Sequence, residues 1–88
     1  MTEPRIDRPH IPGYGVPTKL KGTLPWSWAL ERLEGATIYW LATTGADAAP
    51  HLIPIWGSWT GGRWYVEGGP TRWQRNLREN PQLAIKVE

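Results

Sequence analysis

Thr71 and Arg72 follow directly on the break Gly68-Gly69-Pro70, and Arg75 comes one helical turn later. These residue types at a helix start suit an anion. The first-turn N–H groups have no acceptor within the helix, the peptide dipoles place about half a positive charge there, and a guanidinium fork matches phosphate oxygens. Arg75 projects near the same side as Arg72. The plain alternative is a capped surface helix with solvated arginines. No other chemistry is visible. Asp47, Glu31 and Glu34 fall in a turn and on a helix face, where solvation explains them, and His10 and His51 are far apart in a chain without cysteine, so a zinc site is not expected. Gly57, Gly61 and Gly62 mark strand turns and do not open a helix after a parallel strand, which excludes the common nucleotide-binding glycine loops. Any enzymatic chemistry would belong to a cofactor, with the protein supplying binding and electrostatics.

The elements that must position this helix start can be read from the pattern. Residues 1–22 carry Pro4, Pro9, Pro12, Pro17, Gly13, Gly15 and Gly22 and form an arm in which neither helix nor central strand persists, with Ile11, Tyr14 and Val16 free to pack on a neighbour. The folded domain is expected over 23–88. Thr23 is the expected N-cap of a helix from about Pro25 to Glu34, whose Trp26, Leu30 and Leu33 share a face and which Gly35 ends. Residues 36–44 form a strand with both faces partly covered, 51–60 a second strand in which Pro54 must lie at an edge or bulge, and 63–67 a third. Gly61-Gly62 is a hairpin signal of the primed-turn kind. Thr71 caps a helix running to about Glu79, Asn80-Pro81 stops it, and 82–88 begins a fourth strand. The fold class is β-rich α+β, about four strands and two short helices, paired antiparallel in sequence order.

A chain of 88 residues is one small domain, and at this size only a little over about 60% of the unfolded surface is buried, so a cofactor or partner subunit would strengthen it. The absence of cysteine fits a reducing compartment, and the lack of any apolar run near the ~20 residues of a membrane span gives an expectation of a cytoplasmic protein without membrane contact. The net charge of +2 is too small for a broad nucleic-acid field, and the arginines at 72, 75 and 78 point to a local anion site. Seven tryptophans with no phenylalanine either fill the large core positions or line a flat-ligand pocket or subunit interface.

The runs Tyr39-Trp40-Leu41-Ala42-Thr43, Pro50 to Gly57, Trp64-Tyr65-Val66-Glu67-Gly68-Gly69 and Thr71 to Leu77, closing with Asn80-Pro81, resemble the amino-terminal half of the pyridoxamine 5'-phosphate oxidase-like flavoproteins. The resemblance covers roughly Pro25 to Glu88. It implies an antiparallel split β-barrel, partial here because about two strands would be needed to complete it, and a homodimer holding flavin mononucleotide (FMN) or the deazaflavin F420 between subunits. It further implies a phosphate cradle at Thr71 and Arg72, the first two positions of a Ser-Arg-Lys run whose third position is Trp73 here, with Arg75 as the compensating charge. His51 stands where the family has a basic residue at the start of the strand bordering the flavin; Ile53 and Trp56 follow along it, and Val66 and Glu67 match positions touching the ring and ribitol. Glu67 departs from the small hydroxyl residue of that pattern. The expected function is thus a flavin- or F420-binding oxidoreductase with an unidentified substrate. The rival reading is a non-enzymatic β-barrel module that binds protein or single-stranded nucleic acid through exposed tryptophans and arginines.

Overall fold

The β-favouring residues after Thr37 fold into three meandering strands whose burial alternates residue by residue, and a helix then carries the chain back to the first of them. A computed structural model describes residues 4–16 and 22–88. In chain order the elements are α1 (Trp26–Gly35), β1 (Ile38–Thr44), β2 (Pro50–Thr60), β3 (Arg63–Val66), α2 (Arg72–Glu79) and β4 (Ala84–Lys86). The fold is α+β, with a four-stranded antiparallel sheet in the order β3-β2-β1-β4 that is not closed into a barrel.

Sequential pairing holds for β1 to β3 and not for β4, which lies against β1 with Leu41 opposite Ile85. The cause is α2. Trp73, Asn76 and Leu77 recur at the spacing of one helix face; Trp73 and Asn76 are buried, and Asn76 Nδ2 donates to Thr43 Oγ1 at 3.0 Å. A helix fastened to β1 delivers the chain to the free edge of β1. Asn80 closes α2 as expected, its N–H donating to the Asn76 carbonyl.

β2 pairs with β1 over residues 50–56 and with β3 over 57–60. Pro54 therefore sits in the half that has β1 on one side and no described strand on the other, where its missing N–H costs no ladder bond. The hairpin forms as expected, with φ of 58° at Gly61 and 77° at Gly62. Gly62→Ala should cost about 1–2 kcal/mol, the penalty of a Cβ in the left-handed region; an unchanged midpoint in urea would remove that account.

The core lies on one face of the sheet. Tyr39 and Leu41 are fully buried and Thr43 nearly so. Both helices cover this face: the Tyr39 hydroxyl donates to the Leu33 carbonyl at 2.5 Å, and Trp26 of α1 meets Trp59 edge-on at 6.3 Å. The opposite face of β1 is only half covered, with Trp40 and Ala42 intermediate and Ile38 exposed. On the same side Leu52, Trp56 and Tyr65 are also exposed, an apolar outer face.

Helix boundaries differ from expectation at α1. Its N-cap is Pro25, not Thr23, because the extended Pro25 needs no N–H and its carbonyl accepts from Trp28 N at 3.0 Å. Gly35 remains helical and Ala36 is the C-cap in extended conformation, since the chain runs on into β1 without a left-handed turn. In the arm, the described residues form no helix or strand. Ile11 and Tyr14 are exposed and joined by a turn bond, Tyr14 N to Ile11 O at 3.3 Å; the arm positions 1–3 and 17–21 lie outside the described residues.

Burial pushes the Tyr39 hydroxyl above the usual tyrosine range, and a backbone hydrogen bond with Trp59 offsets part of this. A group whose folded pKa is raised gives stability that is complete below its unfolded value, near 10, and is lost as pH rises through the folded value. Tyr39→Phe should lower stability at pH 7 by about 1 kcal/mol, the worth of one hydrogen bond, and should flatten the alkaline decline in thermal melts. An equal alkaline decline in both proteins would contradict this.

Candidate functional site

The start of α2 lies beside the β1–β2 turn. That turn is tight: Ala48 N donates to Gly45 O at 2.9 Å, Gly45 N to Ala49 O at 3.2 Å, and Ala49 N to Asp47 Oδ1 at 3.1 Å. Ala48 adopts φ 63°, in the left-handed region. A hollow of about 280 Å³ between turn and helix is lined by Gly45, Ala46, Asp47, Ala49, Arg72 and Asn76. Arg72 and Thr71 are exposed, and the Thr71 side chain makes no capping bond, contrary to expectation. The Thr71 N–H turns back to Gly69 O at 2.7 Å, and the first helical bond runs from Arg75 N to Thr71 O at 3.2 Å. The N–H groups of Arg72, Trp73 and Gln74 precede that bond and have no acceptor within the helix. The hollow thus offers a guanidinium beside a helix start, opposed by the Asp47 carboxylate, and Thr71 stands next to it without lining it. Arg75 is exposed one turn on, and Asn76, not Arg75, lines the hollow.

A second region lies on the outer face. Gly57 pairs with Val66, so the register sets Trp56 across from Glu67 just past the end of β3, with Tyr65 on the diagonal. Trp56 and Glu67 line two adjoining grooves and form the ridge between them. One groove, about 390 Å³, is also lined by Ile38, Pro54 and Ile55. The other, about 560 Å³, lies among Trp64, Tyr65 and Val66 with Gly57 and Ser58.

The expected site residues therefore divide. Trp56 and Glu67 share the outer ridge, and Thr71 and Arg72 share the helix start. His51, Ile53 and Val66 alternate onto the half-buried inner face with Tyr39 and Leu41. His51 pairs with Thr43, the residue that Asn76 holds, and its Nδ1 is buried with no hydrogen-bond partner among the described residues. Trp73 does not stand in the hollow as a substitute for a basic residue: it is 8% exposed and packs over Gly68. Gln74 Nε2 donates to the Gly68 carbonyl at 2.8 Å, so two residues of α2 hold the link from β3 at Gly68.

Sequence reasoning passed over Asn76 and Tyr65. The first is a polar residue in the Trp73-Asn76-Leu77 stripe, where burial demands a partner; the second is two residues from Glu67 in a strand, which puts both on one face. Comparison with protein-family models, with curated proteins and with solved structures gave no match. Among the described residues no group of three or more His, Cys, Asp or Glu is placed to hold a metal, and no helix is long and apolar enough to cross a membrane.

Proposed function

We propose that this chain is a flavin-binding half of a split barrel of the pyridoxamine 5'-phosphate oxidase-like class, and an oxidoreductase through that cofactor, FMN or F420. The supporting observation is the connection between the two regions above. Glu67 on the aromatic ridge is separated from Arg72 by Gly68-Gly69-Pro70 and Thr71, so the ridge and the helix start lie within roughly 17 Å even for an extended link. One elongated ligand can reach both.

The residues fit such a group at its two ends. The Ile38 and Pro54 side chains beside the Trp56 ring would carry the flat ring system, and Arg72, the Thr71 hydroxyl and the first-turn N–H groups would hold the phosphate. The cofactor would supply hydride chemistry when bound. The chain's own residues orient it: Trp56 supplies a stacking surface, Glu67 a carboxylate that accepts N–H donors and turns phosphate away, and Arg72 the charge that fixes the opposite end. A second copy of the chain covering the Ile38 and Leu52 side of the ridge would exclude water from the ring and bury those two side chains, which are 43% and 63% exposed. Such a homodimer would also supply the closure that the open sheet lacks.

Arg72→Ala should weaken FMN binding by about 1.5 kcal/mol, the low end for a hydrogen bond to a charged group because the side chain is exposed. Riboflavin, which lacks the phosphate, should lose far less. Calorimetric titration of both ligands checks this. No FMN binding by the parent protein, or equal losses for both ligands, would end the cofactor reading. Steeply salt-dependent binding to a single-stranded oligonucleotide would then support the non-enzymatic module.

A further inference from the structure

The groove beyond the Trp56–Glu67 ridge shares those two residues with the cofactor reading, which leaves its Ser58, Trp64 and Tyr65 side unused. Trp56, Trp64 and Tyr65 line it, and Glu67 is the one charged residue of its lining. Trp56 and Tyr65 lie on the same sheet face in diagonal register and are both exposed, which leaves their rings open to a ligand. The chain already uses aromatic–cation contact elsewhere, with the Arg32 guanidinium 3.6 Å above the Trp28 ring. Among the described residues no such cation stands over Trp56, Trp64 or Tyr65, and Glu67 has no ion pair. Arg63, further along β3, does not line the groove.

We propose that this groove binds a small quaternary ammonium ion, with the methylated head over the Trp56 and Tyr65 rings and its charge balanced by Glu67. The lining decides the class of cation. A primary ammonium has three N–H donors to satisfy and a hard metal ion takes several oxygen ligands, whereas the groove offers one carboxylate, the Ser58 hydroxyl and broad aromatic surface. A methylated cation has no N–H to satisfy and presents apolar surface that the rings cover, while their electron-rich faces attract its charge. Glu67, unsuited to a phosphate, is suited to this ligand.

The test uses choline and its uncharged isostere 3,3-dimethyl-1-butanol, titrated without flavin into the full chain and followed by tryptophan fluorescence and by NMR line shifts. Choline should bind in the millimolar range and about tenfold more tightly than the alcohol. Trp56→Ala should abolish the preference. Glu67→Gln, an exposed and nearly isosteric change, should weaken choline severalfold and leave the alcohol unaffected. Arg72→Ala should leave choline binding as it is, so that loss of FMN binding and loss of this site are separate outcomes. Equal affinity for the two probes, no effect of Glu67→Gln, or a dimer that covers the groove and admits neither probe would overturn the proposal.

Discussion

Trp73→Lys is expected to destabilise the fold by about 4 kcal/mol or more, the cost of removing a buried tryptophan from a packed site, with the desolvation of an ammonium added to it. Trp73 is one of three buried apolar residues among the described residues. Its indole atoms lie 3.5 to 3.9 Å from where a Cβ at Gly68 would stand, so the ring closes the link between β3 and α2. That loss is a large part of the 5–15 kcal/mol available to a small domain. A midpoint shift in urea, or failure to fold, is the expected result. From the resemblance alone, a lysine here restores a missing phosphate ligand and tightens FMN. An unchanged midpoint together with tighter FMN binding would vindicate that view against the packing argument.

The contrast shows which information the sequence carried. Hairpin, strand alternation and the stop at Asn80-Pro81 were legible because they rest on local rules: positive φ at Gly61 and Gly62, period-two burial of Tyr39, Leu41 and Thr43, and a proline that cannot continue a helix. The placement of β4 was not, because it depends on a contact between residues 33 apart, Asn76 and Thr43, which turns α2 toward β1. The same holds for the site. Spacing put Arg72 at a helix start correctly, yet nothing local indicated that Asp47 would share its hollow. Nor did the run His51 to Trp56 reveal its division: strict alternation sends His51, Ile53 and Ile55 inward and Leu52, Pro54 and Trp56 outward, so one ligand cannot meet all their side chains on one face.

Gly57→Ala should cost about 2–3 kcal/mol, the upper range for forcing extra volume into a packed site. The position does not need glycine for its φ. It needs it for room: an added Cβ would stand 2.7 Å from Trp64 Nε1, 3.0 Å from the Tyr65 carbonyl oxygen and 3.2 Å from Tyr39 Cδ2. The carbonyl belongs to the paired strand β3 and cannot withdraw without loosening the Ser58–Tyr65 register. Trp64 cannot withdraw easily either, because its ring is packed against Tyr39 at 5.4 Å between centroids. Thermal melts of Gly57→Ala, Trp64→Phe and the double variant separate these constraints. Removing the indole nitrogen relieves the closest contact and leaves the carbonyl, so the double variant should recover part of the loss and not all of it. Full additivity of the two single effects would mean that the indole and the missing Cβ do not compete for the same space. Because Gly57 is the point where β2 passes from pairing with β1 to pairing with β3, the same substitution should displace the neighbouring Trp56, and with it both grooves of the outer face.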